Sequence, residues 1–165
     1  MSEVTPSQTI GPFFHGALLL EPGEAPLPDA PTGRRLRIEG TVRDGEGAPV
    51  GDALIETWQA GCTGGRFGRV ATDASGRFVL ETEPLAALAT PHAPHLMVSL
   101  FARGVLTRLV TRIYLEGESA NAQDPTLARV PSPRRQTLLA RRIEPDRYGF
   151  DIVLQGPGET VFFDG

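Results

Sequence analysis

From Arg35 onward apolar and polar positions alternate. Leu36, Ile38 and Val42 interleave with Arg37, Glu39 and Thr41, which puts the apolar side chains on one face of an extended strand. DGEG at 44–47 then turns the chain. Similar β-rich runs follow at 53–59, 69–72, 77–82, 96–102, 109–115 and 148–155, separated by Gly, Asp and Pro signals such as DASG at 73–76. Seven short strands with this punctuation predict an all-β fold, a sandwich or a barrel, of which an antiparallel β-sandwich is the expected form. One segment departs from the pattern. In PSPRRQTLLARR, Leu138 and Leu139 stand among good helix formers and Ser132 is placed to cap, so a short peripheral helix is expected there.

Residues 1–33 show neither period. They are rich in proline, glycine and small polar residues and end in EPGEAPLPDAPTG, which reads as an extended N-terminal arm, with the domain proper spanning 34–165. At 165 residues the chain fits one domain better than two. No apolar run reaches the length of a spanning helix, and MSEVTPSQTIGPFF lacks a basic stretch followed by a hydrophobic one, so a cytoplasmic location is expected.

Charge and cysteine content narrow the chemistry. The net charge is -4 and every basic residue is arginine, scattered along the chain. No basic tract marks a nucleic-acid partner. The single cysteine, Cys62, supplies neither an internal disulfide nor a metal-ligand spacing and reads as a small loop or core residue.

Three stretches carry a resemblance. TPSQTIGPFFH at 5–15, PHLMVSLFARG at 94–104 with TRIYLEGESANAQDP at 111–125, and YGFDIVLQGPGETVFFD at 148–164 are similar to the alpha chains of protocatechuate 3,4-dioxygenases, of the intradiol ring-cleaving dioxygenase family. RRQTLLARR between them also matches, and ALIETWQA at 53–60 resembles intradiol dioxygenases generally. The resemblance implies a hetero-oligomer in which the beta subunit holds a non-haem ferric iron through two tyrosines and two histidines, the histidines in a His-x-His strand. Ferric iron is hard and highly charged and favours anionic oxygen and imidazole; histidines two apart on a strand point to one face.

In this chain the matching strand reads His95-Leu96-Met97. A thioether is a poor ligand for ferric iron, and the only tyrosines, Tyr114 and Tyr148, lie after that strand instead of before it. His95 and Met97 are therefore degenerate ligand positions, and the chain is expected to hold no catalytic iron. His95 is expected to be a hydrogen-bonded, partly buried histidine; His15 and His92 read as loop or interface residues. Trp58 reads as a core or interface anchor, and the two tyrosines as packed strand residues with satisfied hydroxyls.

What the resemblance leaves to this chain is the partner's site. Thr9, Gly11 and Pro12 match the alpha-chain segment that lines the beta chain's substrate cavity, and Arg103 matches an arginine whose charge faces the carboxylate of the small aromatic substrate at the interface. Glycine permits close backbone approach, proline fixes its own φ, and guanidinium matches carboxylate geometry. Arg103 reads equally as a solvated edge charge or an interface ion pair. The implied function is that of a non-catalytic subunit for O2-dependent cleavage of 3,4-dihydroxybenzoate to 3-carboxymuconate. A stand-alone degenerate sandwich acting as a binding or structural module is the alternative; an active dioxygenase with an unusual ligand set has the least support.

Overall fold

The computed structural model describes residues 8–11, 18, 33–61, 65–88 and 91–164. Pro12, His15, Cys62 and most of the arm lie outside them. Nine strands are described: β1 (Leu36–Arg43), β2 (Leu54–Gln59), β3 (Arg66–Ala71), β4 (Arg77–Thr82), β5 (His95–Phe101), β6 (Leu109–Leu115), β7 (Leu139–Glu144), β8 (Arg147–Gly149) and β9 (Ile152–Val153). Helix is confined to α1 (Pro125–Arg129), α2 (Ser132–Arg135) and two 3-10 turns, Ser119–Gln123 and Gln136–Leu138.

The strands follow one hydrogen-bonded path, β3-β2-β5-β6-β7-β8-β1-β4, with β9 beside β1. Pairing is mixed, which corrects the antiparallel expectation: β1–β8, β1–β9 and β6–β7 are parallel. Parallel neighbours need a long connection between them. Residues 116–138, with both short helices, carry the chain from β6 to β7, and β8 and β9 return from the far end of the sequence to the first strand. The path nearly closes. Thr82 in β4 donates to Gln59 Oε1 in β2 at 2.5 Å, Arg66 in β3 pairs with Glu83, and a methyl built on Gly68 of β3 would lie 3.6 Å from Leu80 Cδ1 of β4.

Alternation places the core. Leu36, Ile38 and Val42 of β1, Phe78 and Leu80 of β4, and Leu96, Val98 and Leu100 of β5 are buried in one cluster with Ile113, Tyr148, Phe150 and Ile152. Truncating such a residue to alanine typically costs about 2–5 kcal/mol.

Two further expectations are revised. The short helix expected within 131–142 is present as α2 running directly into the 3-10 turn Gln136–Leu138, without a side-chain cap bond from Pro131, but it ends there, and Leu139–Glu144 is strand β7. The run at 148–155 is two strands, because β1 takes Tyr148 opposite Ile38 and Ile152 opposite Val42, with Phe150 between them donating its N–H to Glu39 O at 2.9 Å. Gly40 allows that approach: a Cβ there would sit 1.8 Å from Phe150 O.

Candidate functional site

Two places matter, and they lie at opposite ends of β5. Beyond its last residue the chain runs through buried Ala102 to Arg103 and Gly104, where φ is +82°. That left-handed conformation suits glycine, and it bends the backbone so that Arg103 stands at the corner. β2 and β5 are antiparallel with Leu54 opposite Phe101, and continuing this register by two residues sets Asp52 opposite Arg103. Arg103 Nε donates to Asp52 Oδ2. The arginine side chain is 74% exposed and the aspartate 19%. Asp52 sits in a loop fixed from below by Thr72, whose buried hydroxyl donates to Val50 O at 2.8 Å and accepts from Ala53 N at 2.9 Å.

The arm meets this corner. Thr9 Oγ1 donates to Ala102 O at 3.1 Å and accepts from Gly104 N at 2.9 Å, so its hydroxyl bridges the backbone on either side of Arg103. Gly11, two residues on, is exposed, with nothing within 4 Å of where a Cβ would stand. Of the residues singled out from sequence, Thr9 and the backbone flanking Arg103 are thus brought together, with Gly11 two residues on from Thr9, while Pro12 lies outside the described residues. Arg103 makes an ion pair within the chain, to Asp52, a residue that sequence reasoning missed. Asp52 and Arg103 are 51 positions apart, and only strand register makes them neighbours.

At the other end of β5, His95 is buried opposite Tyr114 of β6, ring centroids 5.2 Å apart. Its Nδ1 lies 2.8 Å from Ala93 O. Burial pushes the imidazole below its ordinary pKa, the Ala93 carbonyl opposing only in part. The Tyr114 hydroxyl donates to Asp124 Oδ1 at 3.2 Å and accepts from Arg112 Nη1 at 3.2 Å. Burial raises the phenol above its usual value. Asp124 is fully buried; it also accepts from Ala93, Thr126 and Leu127 N–H groups, capping α1, with His92 Nδ1 3.4 Å away. Burial alone would raise its pKa, but those N–H donors and the tyrosine hydroxyl outweigh it and hold it below the ordinary carboxylate value. Asp124 too was missed, although the Asp-Pro pair at 124–125 is a recognisable helix-start signal.

Met97 shares the outward face of β5 with His95 and is 43% exposed. Strand register aligns Phe67, Trp58, Met97 and Arg112 across that face, and Trp58 at 45% and Phe67 at 50% exposure are surface residues, so Trp58 is not a core anchor. As expected, Tyr114 and Tyr148 are buried strand residues with satisfied hydroxyls, Tyr148 accepting from Arg142 at 3.1 Å.

The donors around His95 do not fit ferric iron. One imidazole, an exposed thioether, and a phenol committed to Asp124 and Arg112 offer no anionic oxygen free to bind. Among the described residues no three His, Cys, Asp or Glu side chains gather as a metal site, and no helix is long and apolar enough to cross a membrane. His95 lies eight residues and Met97 six residues from Arg103, about 26 and about 20 Å along an extended chain.

Comparison with known proteins gives a consistent picture. The chain is 42% identical to the protocatechuate 3,4-dioxygenase alpha chain of Pseudomonas putida over a 193-residue alignment, covering 97% of this chain and 96% of the relative. It is 32% identical to the protocatechuate 3,4-dioxygenase beta chain of Burkholderia cepacia, covering 79% of this chain and 68% of that one. Among solved structures, the dioxygenase domain of a carbohydrate-binding fusion from Streptomyces sp. SirexAA-E superimposes with a TM-score of 0.59 at 23% identity, covering 92% of this chain and 99% of that one, a likeness of fold. No family model matches.

Proposed function

The chain belongs to the family of protocatechuate 3,4-dioxygenase alpha chains, and from that kinship we propose that it completes the active site of a beta chain in a hetero-oligomer, the beta chain holding the ferric iron. The reaction of that assembly is the O2-dependent intradiol cleavage of 3,4-dihydroxybenzoate to 3-carboxymuconate. Ring cleavage belongs to the partner. This chain contributes a wall and a charge: Thr9, Gly11 and Pro12 line the substrate cavity, and Arg103 faces the substrate carboxylate.

The observation that carries this reading is the bridge made by Thr9 across Ala102 and Gly104, which anchors the start of the arm beside the one strand-end arginine the resemblance points to. An anchored arm can present Gly11 and Pro12 reproducibly to a neighbouring chain, and loops on a rigid scaffold commonly carry such contacts. Residues 1–33 then act as the contact arm and 34–165 as its scaffold. The cytoplasm is the expected location for such an assembly.

The test is truncation. Deleting residues 1–12 leaves the scaffold folded, since the strand pattern starts at Leu36. Reassembled with the wild-type beta chain and fully loaded with iron, the truncated complex is expected to lose on the order of tenfold or more in kcat/KM, because even about 1 Å of substrate misplacement costs rate. Unchanged kinetics in a complete, iron-replete complex contradict the cavity role.

A further inference from the structure

Asp52 carries a consequence for the charge at the partner's site. Arg103 is bound through Nε alone, and no described group takes its terminal amines. The guanidinium is therefore held by one edge, its Nη1 and Nη2 without an acceptor among the described residues. The hold is preorganised. Asp52 hangs from the loop that Thr72 pins at Val50 and Ala53, Gly51 packs its backbone against the 73–74 turn with Ala74 Cα 3.1 Å from a would-be Cβ, and Thr9 braces the backbone on both sides of the arginine. Asp52 also cancels the arginine's charge at a distance. An ion pair acts on a remote anion as a dipole, so its pull fades faster than that of a free cation, while the donors still act at contact.

We propose that Asp52 is a positioning residue for the reaction of the assembled enzyme: it aims the terminal amines of Arg103 at the substrate's carboxylate and confines the arginine's influence to contact range. This rests on the reading that Arg103 faces that carboxylate, and the experiment separates the two. The readout is selectivity, the ratio of kcat/KM for 3,4-dihydroxybenzoate to that for catechol, which lacks the carboxylate, in the iron-replete complex with the beta chain. Arg103→Ala lowers the ratio about tenfold, the scale of one charge-assisted hydrogen bond. Asp52→Ala lowers it about threefold through loss of aim, and Asp52→Asn, which keeps an acceptor for Nε, restores part of it. In the Arg103→Ala background, Asp52→Ala changes nothing further.

A selectivity unchanged by Arg103→Ala overturns the reading of Arg103 and the inference with it. If Arg103→Ala lowers selectivity while Asp52→Ala leaves it at the wild-type value, the inference alone is overturned. So too if Asp52→Ala acts equally with and without Arg103, since the residue then works only through folding. If Asp52→Ala fails to assemble, Asp52→Asn decides: a ratio between wild type and Arg103→Ala supports the proposal, and a wild-type ratio overturns it.

Discussion

Asp124 gathers four donors onto one buried carboxylate: the N–H groups of Ala93, Thr126 and Leu127 and the Tyr114 hydroxyl. Replacing it with alanine leaves those buried donors without an acceptor and uncaps α1, so a loss of about 3 kcal/mol is expected in denaturant unfolding, with Asp124→Asn milder because one acceptor oxygen remains. The same network gives a pH signature. His95 has a folded pKa lowered by burial, so between that value and about 6.5 the unfolded chain binds more protons and stability falls as pH falls. Asp124, also lowered, contributes stability that persists above the ordinary carboxylate pKa near 3.9 and is lost at still lower pH. Unfolding midpoints measured from pH 7 down to 5 are therefore expected to decline in the wild type and to flatten in His95→Gln; an unaltered slope in that variant assigns the acid sensitivity elsewhere.

Among the elements, the strands with strict alternation were readable. In β1 and β4 every second residue faces the core, and turns such as DASG mark the ends, so local sequence fixed them within a residue or two. β7 was not readable, because LLARRIE has helix-favouring composition and only its two-sided pairing, with β6 at Leu139–Ala140 and with β8 from Arg141, makes it a strand. The break at Phe150 was equally hidden: it depends on Gly40, more than a hundred residues away. Hence Gly40→Ala forces β1 and the Phe150 carbonyl apart, a Cβ standing 1.8 Å from that oxygen, and is expected to cost upwards of about 3 kcal/mol or to prevent folding. Gly47→Ala, with φ of +83° and nothing within 4 Å, is expected to cost only about 1 kcal/mol from backbone strain. Comparable unfolding midpoints for the two variants contradict the close-approach account. Asp52 belongs with these long-range features, since its partner is set by β2–β5 register.

For the whole molecule, the family's scaffold is retained, and the end of β5 that matches the His-x-His strand is tied into a hydrogen-bonded network. Where His-x-His would present two imidazoles, this chain turns one histidine into a buried hydrogen-bonded neighbour of Tyr114 and Asp124 and leaves Met97 exposed. The role we propose for this chain lies at the opposite end of β5, where Thr9, Asp52 and Arg103 converge. That division of labour makes a simple demand on composition. Metal analysis and visible absorption of this chain purified alone, beside its complex with the beta chain, test it most directly. The account predicts no stoichiometric iron and no phenolate-to-iron charge-transfer colour in the isolated chain, with iron appearing in proportion to the beta chain in the complex. A coloured preparation of the isolated chain carrying one iron per chain would contradict it.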